Sequence, residues 1–215
     1  MKPELIIFDC DGVLVDSEVL AVEIDRQVLT EHGWELTREQ VIEKFLGIPM
    51  IKVQEGLEEY LNRPLGPEWI DSLETRYKES FEESLEPVPG IIEALEQLAV
   101  PRCVASSGTH QRIRRSLSLC KMLRYFEDSH IFSTQDVARG KPAPDLFLHA
   151  ASSMGVEPEN CVVVEDSAHG VSAAKAAGMP VLGYAGGVTP AHKLDDAGAQ
   201  VFTNMADLPQ IIEKL

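Results

Sequence analysis

The stretch Leu5-Ile6-Ile7-Phe8-Asp9-Cys10-Asp11-Gly12-Val13-Leu14-Val15-Asp16-Ser17-Glu18 decides how this chain reads. Four apolar residues run without alternation into an aspartate. A strand with one wet face alternates apolar and polar residues, whereas an unbroken apolar run fits a strand covered on both faces, as in a parallel sheet. In open parallel sheets, ligands bind beyond the carboxyl ends of the strands. The acidic pair that closes this run therefore stands where chemistry is expected.

The same signature returns at Cys103-Val104-Ala105, His130-Ile131-Phe132 and Cys161-Val162-Val163-Val164, and more weakly at Val181-Leu182-Gly183-Tyr184 and Gln200-Val201-Phe202. Helical patterns separate these runs. One opens at Pro89-Gly90 with Ile91, Leu95 and Leu98 on one face, a second covers 145–154, a third covers 168–177 and stops at Gly178, and a last one carries Leu208, Ile211, Ile212 and Leu215. Alternating strand and helix implies an α/β fold with a doubly wound parallel sheet. From Glu18 to Leu85 the alternation lapses. Four helical stripes replace it: Leu20/Ile24/Val28, Val41/Ile42/Phe45, Val53/Leu57/Tyr60/Leu61 and Ile70/Leu73/Tyr77/Phe81. Residues 1–16 and 87–215 are thus expected to form the α/β core, and 17–86 an inserted helical domain, with Trp34 and Trp69 packing between its helices.

The chain has 215 residues and a formal net charge of −16. Seventeen acids against seven Lys/Arg lie between Glu18 and Pro87. So acidic a chain repels nucleic acid and anionic membrane at long range, and a small anionic substrate needs a local set of donors or a metal. The longest apolar runs are too short to span a bilayer, and the N-terminus lacks the features of a secretory signal. Cys10, Cys103, Cys120 and Cys161 form no zinc-type pair. They read as buried thiols in a reducing cytosol, and the expected location is cytoplasmic.

The strand ends collect the reactive groups. The first ends in Asp9-Cys10-Asp11-Gly12, the second in Ser106-Ser107-Gly108-Thr109 and the fourth in Glu165-Asp166-Ser167, while Gly140-Lys141-Pro142-Ala143-Pro144-Asp145 precedes the helix at 145–154. Carboxylates gathered at one edge repel unless a cation sits among them, and hard oxygen ligands suit Mg²⁺. Lys141, the Ser106 hydroxyl and the amides of Ser107 and Gly108 at a helix start would hold a phosphate. A carboxylate in line with phosphorus can act as nucleophile. Two residues along a strand the side chain returns to the same face, so Asp11 could serve as acid and base.

Each piece alone has a plainer reading. Asp-x-Asp-Gly could open a calcium loop, but the later ligands in register are missing. The Ser/Thr cluster could merely cap a helix. Lys141 could be an exposed lysine at a helix entry. Glu165-Asp166 could belong to a phospho-receiver, but there the acidic pair comes early and the acceptor later. The four pieces together argue for catalysis.

The run from Asp9 to Glu18 resembles the first motif of the haloacid dehalogenase superfamily; Ser106 is similar to its second, Lys141 to its third and Glu165-Asp166 to its fourth. The helical insert resembles that family's four-helix cap. Within the family the chain is similar to the β-phosphoglucomutase-like and sugar-phosphatase branch. The resemblance implies Asp9 as nucleophile and metal ligand, with Asp11 as acid/base that binds metal through its backbone carbonyl. It gives Ser106 and Lys141 the phosphoryl group, and Asp166 the completion of a Mg²⁺ site to which Glu165 adds support directly or through a water.

The implied activity is hydrolysis of a small phosphomonoester. Metal-free dehalogenation would not need Asp11 and Asp166. Phosphonate hydrolysis needs a cap lysine, which 19–25 lacks. A phosphosugar mutase is the rival reading. Its cap histidine and arginine positions align with Ala21 and Met50 here, while the loop glycine, Gly47, is kept, so hydrolysis is the expected fate of a phospho-Asp9. A phosphate-binding module without activity is a further alternative. Substrate-binding candidates are Gly12, Gly47, Ser107, Gly108, Lys44 and Lys52, the two lysines suiting a sugar phosphate or phosphorylated sugar acid. Hinges are expected near Asp16-Ser17 and Glu86-Pro87-Val88.

Overall fold

The computed structural model describes residues 2–46, 48, 50–66 and 68–215. The chain forms two compact units, Met1–Asp16 with Glu86–Leu215, and Ser17–Leu85.

The first unit is built on strands β1 (Leu5–Phe8), β2 (Arg102–Ser106), β3 (Ile131–Ser133), β4 (Cys161–Glu165), β5 (Val181–Tyr184) and β6 (Gln200–Phe202). All neighbouring pairs are parallel, in the order β3-β2-β1-β4-β5-β6. β1 is central because both of its edges are paired. Ile7 stands opposite Cys103 on one side and Val163 on the other. All four residues of β1 are fully buried, which is why this strand carries no polar alternation. The chain builds outward from β1 to β3, then crosses back to β4 and builds the other way. That reversal leaves a crevice at the carboxyl ends of β1, β2 and β4.

Helices α1 (Ser17–Glu31), α2 (Arg38–Phe45), α3 (Met50–Leu61) and α4 (Glu68–Ser84) make the second unit, and α5 (Ile91–Gln97), α6 (His110–Leu119), α7 (Asp145–Ser153), α8 (Ala168–Ala176), α9 (Ala191–Asp196) and α10 (Leu208–Glu213) belong to the first. Leu5 and Ile7 share a cluster with Cys103, Ala105, Val163, Phe147 of α7 and the alanines Ala173 and Ala174 of α8. Phe8 meets the edge of Phe126, with ring centroids 6.3 Å apart. Small side chains on α8 let it lie close to the sheet. Each fully buried Leu, Ile or Phe contributes about 1.5–3 kcal/mol. Gly90, at φ 86, caps α5 in a left-handed conformation that glycine adopts without strain. The short α9 had no counterpart among the helical patterns of the sequence; Leu194 alone of its residues is buried, too little for a stripe.

In the second unit Ile24, Val28 and Leu73 form a core against which Leu20, Met50, Trp69, Tyr77 and Phe81 pack. Thr37 and Gln40 cap α2 reciprocally, as a capping box does. Tyr60 departs from its expected core position. It is 48% exposed, stacks on Trp34 at 4.9 Å and 5°, and donates its hydroxyl proton to the Gly33 carbonyl at 2.7 Å. Its hydroxyl needs a partner, and the loop after α1 supplies one. All four cysteines are buried free thiols. Among the described residues no helix is long and apolar enough to cross a membrane.

Candidate active site

Asp9 follows β1 directly. Its amide donates to the Val164 carbonyl at 3.0 Å, which extends the β1–β4 ladder by one bond and fixes the side chain at the sheet edge. The chain then turns sharply. The amides of Leu14 and Val15 both donate to the Cys10 carbonyl, at 2.9 and 3.0 Å, and Gly12 N donates to Val15 O at 2.8 Å. Asp11 therefore owes its position to this turn and not to strand alternation, since β1 ends at Phe8. The turn needs Gly12 at φ 74. A Cβ there would also lie 1.9 Å from Asp166 Oδ2, so the Gly12 backbone is the surface against which that carboxylate rests.

Lys141 lies before α7. Its ammonium donates to Asp9 Oδ1 at 2.7 Å and to Glu165 Oε1 at 2.6 Å, and its side chain is 4% exposed. Phe147 lies beneath it, with the ring centroid 4.8 Å from Nζ. Glu165 ends β4, and Oε2 accepts from Ser167 N at 2.8 Å and Ser167 Oγ at 2.9 Å. The same Ser167 hydroxyl caps α8 by accepting from Gly170 N. A Cβ on Gly170 would meet Glu165 Oε1 at 1.7 Å, so this glycine makes room for the carboxylate.

Ser106 ends β2, is 1% exposed, and accepts from Gly108 N at 3.2 Å. Ser133 Oγ donates to the Gly108 carbonyl at 2.6 Å, which ties the loop after β2 to the end of β3. Ser107 is exposed and Gly108 half-buried. Thr109 caps α6 by accepting from Arg112 N at 3.2 Å.

Ligand oxygens from Asp9, Glu165 and Asp166 lie within 4.8 Å of one another, and all three residues are buried. Burial pushes the Asp9 carboxyl up to about 7, with the Glu165 and Asp11 charges adding to the rise and Lys141 opposing it. Burial alone would pull the Lys141 ammonium down, but Asp9 and Glu165 outweigh it and hold it above the ordinary lysine value. Three buried carboxyl groups, with one ammonium shared between two of them, make an oxygen-rich acidic set. Such oxygen ligands fit a hard divalent cation.

The structure thus brings Asp9, Lys141, Glu165 and Asp166 together, with Gly12 and the loop carrying Ser106, Ser107 and Gly108 built around the same strand ends. Glu165, expected as a direct or water-mediated metal ligand, has both oxygens engaged, by Lys141 and by Ser167. Of the other expected residues, Lys44 is exposed on α2, Lys52 pairs with Glu55 at 2.5 Å on α3, and Gly47 lies outside the described residues. Arg112 had no place in the sequence reading. Its Nη2 stands 3.3 Å from Asp11 Oδ1. An available signal was the basic character of the segment after Ser106, set in a strongly acidic chain.

The haloacid dehalogenase-like hydrolase family matches residues 6–184, from β1 through β5. The chain belongs to this family. It is 31% identical to the 6-phosphogluconate phosphatase of Escherichia coli K12 over 97% of its own length and 94% of that protein. A haloacid dehalogenase-like protein of unknown function from Agrobacterium tumefaciens C58 is 40% identical, with a TM-score of 0.90 over 98% of both chains. A putative β-phosphoglucomutase from Thermotoga maritima is 29% identical, with a TM-score of 0.82 over 99% of both. The parallel sheet is therefore a haloacid dehalogenase core, and the chain is a phosphoric monoester hydrolase of that family.

Proposed function

We propose that this haloacid dehalogenase-type enzyme is a Mg²⁺-dependent phosphatase of small phosphorylated sugars or sugar acids that works through a phospho-aspartate at Asp9. The observation that carries the reading is the Lys141 ammonium held between Asp9 and Glu165 at the sheet edge. It opposes the rise that burial imposes on the Asp9 carboxyl and orients that group beside a cluster able to take a divalent cation. The relationship to a 6-phosphogluconate phosphatase supports the substrate class.

In this reading the Asp9 carboxylate attacks phosphorus as the bond to the leaving oxygen breaks, and Asp11 gives that oxygen its proton. Asp11 then takes a proton from water, whose oxygen attacks phosphorus. The P–O bond to Asp9 breaks and phosphate is released. Ser106, the Ser107 and Gly108 amides and Lys141 hold the phosphoryl oxygens. Asp9, Asp166 and the Asp11 carbonyl would hold Mg²⁺, with Glu165 contributing mainly through Lys141. The metal supplies neutralisation of phosphoryl charge when bound. The helical unit follows the first strand, as the cap of this family does, and its lysines Lys44 and Lys52 are candidates for setting substrate preference.

The mutase is the second reading, favoured by the Thermotoga neighbour. Two positions weigh against it. Ala21 on α1 offers no polar group, and Met50 packs on the helical unit's apolar core. The deciding assay is phosphate release from sugar phosphates, sugar acid phosphates and nucleotides, with Mg²⁺ or EDTA, for the wild type and Asp9→Asn. Metal-dependent release lost in Asp9→Asn is the expected result. Interconversion of glucose phosphates without release would establish the mutase, and silence in both assays would leave a phosphate-binding module.

A further inference from the structure

Lys141 is committed to two carboxylates and almost fully buried. A cation that meets the rest of a substrate must come from elsewhere. Arg112 is a cation that touches a candidate catalytic group and still faces solvent. Its side chain is 54% exposed against 23% for Asp11, with which it pairs at 3.3 Å. That separation is long for a charge-assisted hydrogen bond, which settles near about 2.8 Å. A pair so exposed contributes at most about 1 kcal/mol. The exposed guanidinium is within reach of an anion arriving from solvent.

Its setting favours such an anion. Residues 110–124 hold Arg112, Arg114, Arg115, Lys121 and Arg124, five of the chain's nineteen Lys/Arg, and no Asp or Glu, in a protein of net charge −16. Arg114 pairs with Asp128 and Arg124 with Glu96, yet the segment keeps an excess of positive charge, which draws anions locally. The stem of Arg112 passes along the loop after β2, its Cδ 3.7 Å from where a Cβ on Gly108 would stand. Arg112 thus sits next to both the loop read as holding the phosphoryl group and the residue read as protonating the leaving oxygen. What lies beside the leaving oxygen is the body of the substrate.

We propose that Arg112 is a specificity residue that reads a carboxylate on the leaving group, so that phosphorylated sugar acids are preferred over neutral sugar phosphates. A guanidinium binds a carboxylate through two parallel N–H donors, geometry that a sugar hydroxyl does not match. The inference rests on the phosphatase reading above.

The test is kcat/KM for 6-phosphogluconate and for glucose 6-phosphate with Mg²⁺, in the wild type, Arg112→Gln and Arg112→Lys. The wild type should prefer the acid. Arg112→Gln should cut that preference by about ten-fold or more, mainly through KM for the acid, and Arg112→Lys should restore part of it. A wild type without the preference, or an Arg112→Gln enzyme that keeps it or loses both substrates equally, overturns the inference while leaving the phosphatase intact. A wild type that releases phosphate from no phosphomonoester overturns both.

Discussion

The Lys141 ammonium stands 2.7 Å from Asp9 Oδ1 in a place that solvent barely reaches. Removing one partner of a buried ion pair leaves the other charge uncompensated, at about 3–5 kcal/mol. Lys141→Ala should lower the melting temperature at neutral pH and reduce kcat by about 10²-fold or more, the scale of losing one preorganised donor. Thermal denaturation and steady-state assays read the two effects separately. Activity within two-fold of wild type would remove Lys141 from the phosphoryl site.

Gly170 gives a sharper dissection, because it lies within α8 and an alanine there asks for no left-handed backbone. The added methyl would occupy the position of Glu165 Oε1. Glu165 must move, and Lys141 loses its second acceptor. Gly170→Ala should therefore reduce kcat several-fold or more while circular dichroism stays native. Unchanged kcat would mean that Glu165 does not position Lys141.

A divalent cation that binds only the folded state adds about 2.7 kcal/mol at a hundred-fold excess over its Kd. Mg²⁺ should raise the melting temperature of the wild type, EDTA should reverse the rise, and Asp166→Asn should abolish it. A shift that survives in Asp166→Asn would place the cation elsewhere.

Asp25, on α1, is 6% exposed. Burial pushes its carboxyl up from 3.8 to about 6, against the Tyr77 hydroxyl that donates to it at 2.7 Å. The folded state therefore binds this proton more tightly than the unfolded chain does. The resulting penalty is absent below the unfolded value, grows as pH rises between 3.8 and about 6, and is complete above it. It amounts to roughly 2–3 kcal/mol. Asp25→Asn should melt several degrees above wild type at pH 7.5, and the gap should close as pH falls toward 4. A gap independent of pH would show that charge on Asp25 is not its source.

Much of the first unit was legible because a parallel sheet leaves an unmistakable trace. Both faces of β1 are covered, so Leu5–Phe8 could not alternate, and the same pressure wrote Cys161–Val164. Helices α7 and α8 announced themselves by apolar spacing and by Gly178 at φ 76. Where burial is slight, as in α9, the trace disappears.

The sequence by itself determined the order of the strands and of the helices other than α9, the helical insert, and the placing of Asp9, Ser106, Lys141 and Glu165-Asp166 near strand ends, because hydrophobic period and turn chemistry are local properties. Tertiary structure alone decided who meets whom. It set Lys141, 132 residues beyond Asp9, between two carboxylates. It turned Glu165 toward Lys141 and Ser167, made Gly12 and Gly170 the clearances for two acidic side chains, and brought Arg112 to Asp11 across 101 residues. Such contacts depend on strand order and on distances of a few ångströms, which a one-dimensional pattern does not encode.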